Sequence, residues 1–333
     1  MTESNDRIYL KFNYPGAVSG SKTLLTGIRR KGKVLYITGF YEPSNSETIS
    51  FFYKGDLTGS TSPCSNNSWN ILNYPNSTAT NLYGPLVLDC DNVRAVGNYT
   101  AEGVSGPIGC MYEGQLNGSG KWTKLVPTNN TLNTIAHSTM GDLVVGNYDI
   151  STFINKSAGK AFIYDVNTKI YYEIIKPNAK STTAYGIWQN SKDHYTICGG
   201  FSNLNRSSGL DSGYLVDWDN KTHKFSNWRE YQYNNSKSIV THFDGISSNG
   251  DGGYTLTGDA IPKSSSGPIA FFVEIDKHCN KLNTKSCPKW EQIEFPGSTS
   301  NSGNSVANEI VIGVHTDSSD AEGTVNGYIS IVL

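Results

Sequence analysis

Six histidines are the first residues to test for chemistry, because imidazole ligates metals and titrates near neutral pH. His137, His194, His223, His242, His278 and His315 are scattered, with no HxH or HExxH spacing to set two rings on one metal. His137 and His242 fall near the starts of two strands that the repeat described below sets innermost, so these two could converge. A lone hydrogen-bonded structural histidine is the simpler reading of each. No GxSxG stands at a strand-to-helix elbow, and no long amphipathic helix is there to supply one. Asp89 and Asp91 share a turn but lack the further oxygens and distal glutamate of a calcium loop. Sialidase-type Asp boxes are missing, and Ser248–Gly253 reads as a hairpin turn. The expectation is no catalytic set, no metal and no cofactor.

The aromatic series Tyr9, Trp69, Trp122, Tyr171, Trp228 and Trp290 could stack on sugars, but packing in the interior accounts for rings at equivalent places in a repeat more simply. Cys279 and Cys287 flank a hairpin tip and are expected to form a local disulfide. Cys64 and Cys90 are a second candidate pair, while Cys110 and Cys198 fall inside strands and read as buried thiols. Nine Asn-x-Ser/Thr sequons occur, at Asn66, Asn76, Asn98, Asn117, Asn129, Asn155, Asn205, Asn220 and Asn234. A chain this rich in Asn, Ser and Thr yields several by composition alone, so they suggest a glycoprotein only weakly.

The elements that must position such residues are strands. The chain has 333 residues, 37% hydrophobic and 17% charged, with 34 Gly and 20 Tyr, which is ample for a core. Net charge is −2, and the nearest approach to a basic cluster is Arg29-Arg30-Lys31, read as an exposed turn; nucleic acid and membrane are therefore not expected partners. No apolar run reaches the roughly 20 residues a bilayer helix needs, and Met1–Asp6 is not a signal peptide.

A motif repeats: an apolar run ending in glycine, at Gly39, Gly97, Gly146, Gly199, Gly258 and Gly313, with intervals of 58, 49, 53, 59 and 55 residues. After each comes a polar loop and a second apolar strand, such as Ile49–Tyr53, Ile108–Tyr112 or Ile269–Val273. An aromatic-led strand follows that usually ends at proline, as in Trp69 to Pro75 and Trp290 to Pro296. A period near 50 is that of a propeller blade with four short strands and generous loops. The sixth copy stops at Leu333 without its last strand, and Tyr9 to Pro15 at the other end has the missing spacing. The fold expected is all-β: one six-bladed β-propeller whose last blade is closed by the N-terminal strand. Blade boundaries fall near 22–78, 79–131, 132–182, 183–240, 241–299, and 300–333 joined to 7–16.

The segments Tyr14-Pro15-Gly16-Ala17, Thr26-Gly27-Ile28 and Gly39-Phe40-Tyr41, with Tyr185-Gly186-Ile187, Gly199-Gly200-Phe201, Phe295-Pro296-Gly297 and Asn326-Gly327-Tyr328, resemble the HAF-type extracellular repeat family. The resemblance extends over nearly the whole chain through short structural motifs. Copies two and three depart from it at Gly84-Pro85 and His137-Ser138. It implies a secreted repeat protein and leaves the biochemical role open.

Aligning the copies on Gly-Ile places Asn81 and Tyr83, Thr183 and Tyr185, His242 and Asp244, and Ser302 and Asn304 around the axis. These residues differ between blades, as one asymmetric ligand read by six similar mounts requires. The long loops Ser202 to Ser212, with Arg206, and Asp317 to Thr324, with three carboxylates, would share that face. The function expected first is non-enzymatic recognition or adhesion of a glycan or protein. A self-associating structural subunit and a hydrolase or lyase with an axial pocket are the alternatives, because the fold does not choose among them.

Overall fold

The computed structural model describes residues 7–44, 47–57, 68–89, 92–150, 159–203, 211–236, 238–262, 267–276, 279 and 288–332. They form six antiparallel sheets arranged as a β-propeller. Blade 1 runs outward from Lys22–Lys31 through Val34–Glu42 and Ile49–Gly55 to Ser68–Ile71. Blade 2 comprises Ala79–Val87, Asn92–Thr100, Ile108–Gln115 and Lys121–Leu125, and blade 3 Thr131–Met140, Leu143–Ile150, Lys160–Asp165 and Tyr171–Ile174. The innermost strand of blade 4 is in two pieces, Ala179–Thr182 and Gly186–Ser191, both paired with His194–Asn203; Asp211–Asp219 and Lys224–Tyr231 follow. Blade 5 comprises Ile239–Ser248, Tyr254–Pro262, Ile269–Ile275 and Lys289–Ile293.

Blade 6 takes Ser298–Ala307, Ile310–Asp317 and Asn326–Val332 from the C-terminal end and Arg7–Lys11 from the N-terminal end. The closing strand pairs antiparallel in the register Arg7↔Val332 to Lys11↔Tyr328. Phe12 N donates to Gly327 O at 2.8 Å, and Arg7 Nε meets Glu291 Oε1 of blade 5 at 2.6 Å. The expected closure is what the chain does, and it covers an edge that would otherwise be open to another strand.

The second strand of each blade is buried on both faces, as in Val34–Glu42, because each sheet is covered by neighbours on both sides. The core is accordingly divided into six clusters, one per junction between blades. Val34, Tyr36 and Phe52 of blade 1 meet Leu82, Val93 and Tyr112 of blade 2 in one of them. Leu25, Ile28 and Ile37 meet Ile310, Ile312 and Ile329 across the closing junction. The outer aromatic series packs inside: Trp69 lies 4.9 Å from Phe51 and 5.2 Å from Phe12, Trp290 5.0 Å from Phe271, and Tyr9 5.9 Å from Phe295.

Each innermost strand leaves register at one equivalent place against its neighbour, and those of blades 3, 4 and 6 slip elsewhere as well. The unpaired residue is Thr26 in blade 1, Tyr83 in blade 2, His137 in blade 3, Asp244 in blade 5 and Asn304 in blade 6. In blade 4 the break between Thr182 and Gly186 does the same work and releases Tyr185. Such a β-bulge bends the strand and re-aims a side chain. The repeat glycine stands opposite it. A Cβ on Gly97 would lie 2.0 Å from Asn81 O, one on Gly199 1.9 Å from Thr183 O, and one on Gly258 2.0 Å from His242 O. Gly39, Gly146 and Gly313 meet the carbonyls of Leu24, Ile135 and Ser302 in the same way. The glycine is required because backbone approaches backbone there.

Replacing Gly258 with Ala should therefore destabilise the fold by about 1–3 kcal/mol, as overpacking against rigid backbone does. Gly159→Ala, where an added Cβ meets nothing within 4 Å, should shift the melting temperature little. Equal shifts for the two variants in thermal unfolding would contradict the steric account.

Candidate functional site

The residues at these five slips, with Tyr185 at the break in blade 4, form a ring about the propeller axis, each blade touching the next. Thr26 Oγ1 donates to Leu82 O at 2.6 Å, joining blade 1 to blade 2. Tyr83 meets the His137 ring edge-on at 5.1 Å, and His137 meets Tyr185 at 4.7 Å. Tyr185 stacks on His242 of blade 5 at 6.3 Å. Ser302 Oγ donates to Asp259 Oδ2 at 2.6 Å, joining blades 5 and 6, and Asn304 Nδ2 donates to Leu25 O at 2.6 Å, which completes the circuit. The ring is aromatic from blade 2 to blade 5 and carries carboxylate, amide and hydroxyl groups from blade 5 round to blade 1.

All eight residues expected at the axis are half-buried: Asn81, Tyr83, Thr183, Tyr185, His242, Asp244, Ser302 and Asn304. Asn81 Oδ1 is buried without a hydrogen-bond partner. Thr183 Oγ1 donates to Gly200 O at 3.1 Å. Between them the axis is filled, since the void bounded by Tyr83, His137, Tyr185 and Asp244 holds about 10 Å³. That is about one water and no through-channel.

Three further residues belong to this centre. His137 enters as the bulge of blade 3, and burial lowers its pKa to about 3, so the ring is neutral. Asp259 follows the repeat glycine on the second strand of blade 5 and accepts from Gly303 N at 3.2 Å as well as from Ser302. Its carboxyl and that of Asp244 are both held above the ordinary aspartate value. Burial is the main cause, with the Asp259 charge adding to the rise at Asp244 and His242 opposing it. Gly200 leaves room for the imidazole, because a Cβ there would lie 2.7 Å from His242 Cδ2.

Arg29 corrects an expectation. It is not in an exposed turn but near the end of the strand Lys22–Lys31, only 8% exposed; Arg30 and Lys31 alone face solvent. Its guanidinium reaches beneath the ring to other blades, with Nη2 donating to Ser138 Oγ at 3.1 Å and to Ile187 O at 3.3 Å. A basic triplet suggested a turn, and only the register of the hairpin would have shown which of the three points inward.

Cys110 and Cys198 are buried free thiols as expected. Cys279 is not among the free thiols, while Cys287, Cys64 and Cys90 lie outside the described residues, as do His278 and Arg206. Among the described residues no group of His, Cys, Asp and Glu is arranged to hold a metal. Of the sequons, Asn98 is buried in blade 2, where no glycan fits.

Fold and ring together define a six-bladed propeller with an asymmetric axial centre. No family model matches the sequence, and no curated protein does. Solved structures resemble the chain only in shape. A luciferin-regenerating enzyme shares 12% identity over 98% of this chain and 94% of its own, with a TM-score of 0.49. The β-propeller domain of the Trilobed protease from Pyrococcus furiosus shares 10% over 93% and 95%, at 0.44. An arabinanase from Bacillus subtilis shares 14% over 92% and 93%, at 0.38.

The raised carboxyl pKa values set a pH dependence. Native Asp244 and Asp259 keep their protons above 3.8, where the unfolded chain has lost them, so the native state binds more protons there. Stability is full below that value and falls as pH rises through the native pKa toward neutrality. Asp244→Asn should remove much of this fall in melting curves taken from about pH 4 to about pH 8. A variant with the wild-type slope would refute the assignment.

Proposed function

We propose that this protein is an extracellular recognition module that binds a glycan on the propeller face where the innermost strands begin, over the ring of bulged residues. The observation that carries the reading is the ring itself. Six similar mounts, five at a bulge and that of blade 4 at a strand break, present Thr26, Tyr83, His137, Tyr185, Asp244 and Asn304, so scaffold and chemistry are separated. A pyranose has an apolar C–H face that stacks on aromatic rings and hydroxyls that pair with carboxylates and amides. The two halves of the ring supply these. The resemblance to HAF-type repeats supports the extracellular placement. So would a Cys279–Cys287 disulfide, which non-reducing peptide mapping would reveal and which two free thiols in protein from an oxidising compartment would exclude.

A glycan array with the wild type and the His242→Ala, Asp244→Ala double variant tests the proposal. Binding by the wild type, lost in a double variant that keeps its melting behaviour, is expected. Unchanged affinity, with contacts mapped to the outer rim or the opposite face, would overturn it.

One observation favours an enzymatic second reading. Asp244 and Asp259 are neighbouring carboxyls with raised pKa, an arrangement that can supply both an acid and a base. Release of reducing ends from an array ligand by the wild type but not by Asp244→Asn would select it over simple binding.

A further inference from the structure

At the opposite end of the axis, where the innermost strands finish, lies a separate cavity of about 200 Å³. Its charge is one-sided. Arg29, Arg30 and Lys31 line it, and no aspartate or glutamate does. The apolar wall comes from Leu86, Met140 and Trp188 on three blades and from Val306 on a fourth, with Ser247 and Asn308 at the remaining side. Every lining residue is described, and none belongs to the ring on the other face.

Arg29 forms the floor, bordering both this cavity and the small void under the ring. It is a buried cation without a counter-ion among the described residues. Its Nη atoms donate only to neutral acceptors, the carbonyls of Ile28, Thr139 and Ile187 and the hydroxyl of Ser138. Its Nε–H is buried with no partner at all. Desolvation lowers its pKa to about 10 with no carboxylate to offset the effect, so it remains charged at neutral pH. A buried charge is costly unless it is paired, and each unused donor adds to the cost. Structural arginines in this chain are paired differently: Arg94 Nη2 meets Glu113 at 2.8 Å and Arg229 Nη2 meets Asp217 at 2.6 Å.

We infer that this cavity binds a small monocarboxylate with a flat apolar body, the carboxylate set against Arg29 and Arg30 and the body against Trp188, Leu86 and Met140. The volume is below that of most pockets for drug-sized ligands, which calls for a compact molecule. The carboxylate would supply the charge that the floor lacks, and the bidentate geometry of arginine suits a planar anion. This site is independent of the glycan reading, because it lies on the other side of the filled axis.

The experiment is calorimetric titration of the full chain with phenylacetate, indole-3-acetate and their neutral amides, with inorganic phosphate as the bare anion. The acids should bind at least about tenfold more tightly than their amides, as a charge-assisted pair implies, and than phosphate. The double variant Arg30→Gln, Lys31→Gln, whose side chains are exposed and leave the fold intact, should bring the acids toward the affinity of the amides. Trp188→Ala should weaken acids and amides alike, and Asp244→Asn should change neither. Equal affinity of acid and amide, phosphate binding as tightly as the acids, no binding at millimolar concentration, or loss of binding in Asp244→Asn would each overturn the proposal. Arg29→Met is left out of the decisive set because four acceptors lose their donor there.

Discussion

Six innermost strands crowd one axis, and there backbone can approach backbone only where no Cβ intervenes. That steric constraint governs the molecule more than any single contact. Each innermost strand drops one residue out of register as it bends at the axis, and its carbonyl then occupies the space where the opposing residue would carry a side chain. Glycine opposite the bulge answers this in all six blades. The same slip that demands the glycine also turns one side chain toward the centre. The most repetitive feature of the sequence and its least repetitive site therefore have one origin.

The remaining architecture follows from stacking such blades in a circle. A single sheet cannot bury both faces of its second strand, so each blade depends on its two neighbours. The core is shared among six junctions and has no single centre. The circle must then close. Arg7–Lys11 closes blade 6 by hydrogen bonding, while Arg7 to Glu291 ties that strand to blade 5 and the Lys22↔Val325 bridge ties blade 6 to blade 1. Pairing of the chain ends is a non-local contact of nearly the full chain length, of the kind that slows folding.

The fold was legible in the sequence because propeller repeats write their scaffold in residue types. Gly39 to Gly313 gave the period, and Tyr9 to Pro15 gave the missing strand. Tyr83, Tyr185, Asp244 and Asn304 were found by aligning the copies on the Gly-Ile position, which follows each of them directly as Gly84-Pro85, Gly186-Ile187, Gly245-Ile246 and Ser305-Val306. His137 was legible as a histidine near the start of an innermost strand, but not as a member of the ring, because Ser138 stands where blades 1, 2, 4 and 5 have glycine. Counting back through the hairpin from Gly146, whose partner is Ala136, would have found it. Asp259 and Arg29 were not legible by the repeat. Arg29 stands where the other blades have Leu86, Met140, Trp188, Ser247 and Ala307, and Asp259 where they have Phe40, Asn98, Asn147, Gly200 and Val314, so no shared residue type marks either position.

Polarity along that axis is the last consequence of the geometry. Above the void, burial holds Asp244 and Asp259 toward the protonated state, and the Asp259 charge adds to the effect at Asp244; below it, Arg29 is bonded only to neutral acceptors among the described residues. The two ends border the same void of about 10 Å³, yet they do not neutralise one another. An ion pair across the void would have lowered the Asp244 pKa and raised that of Arg29, and both move the other way. Arg29 is committed instead to the carbonyls around it, so it closes the axis as a partition rather than as a counter-ion. The two faces therefore differ in charge: carboxyls and aromatic rings stand on one, and a buried cation bordered by Arg30 and Lys31 on the other.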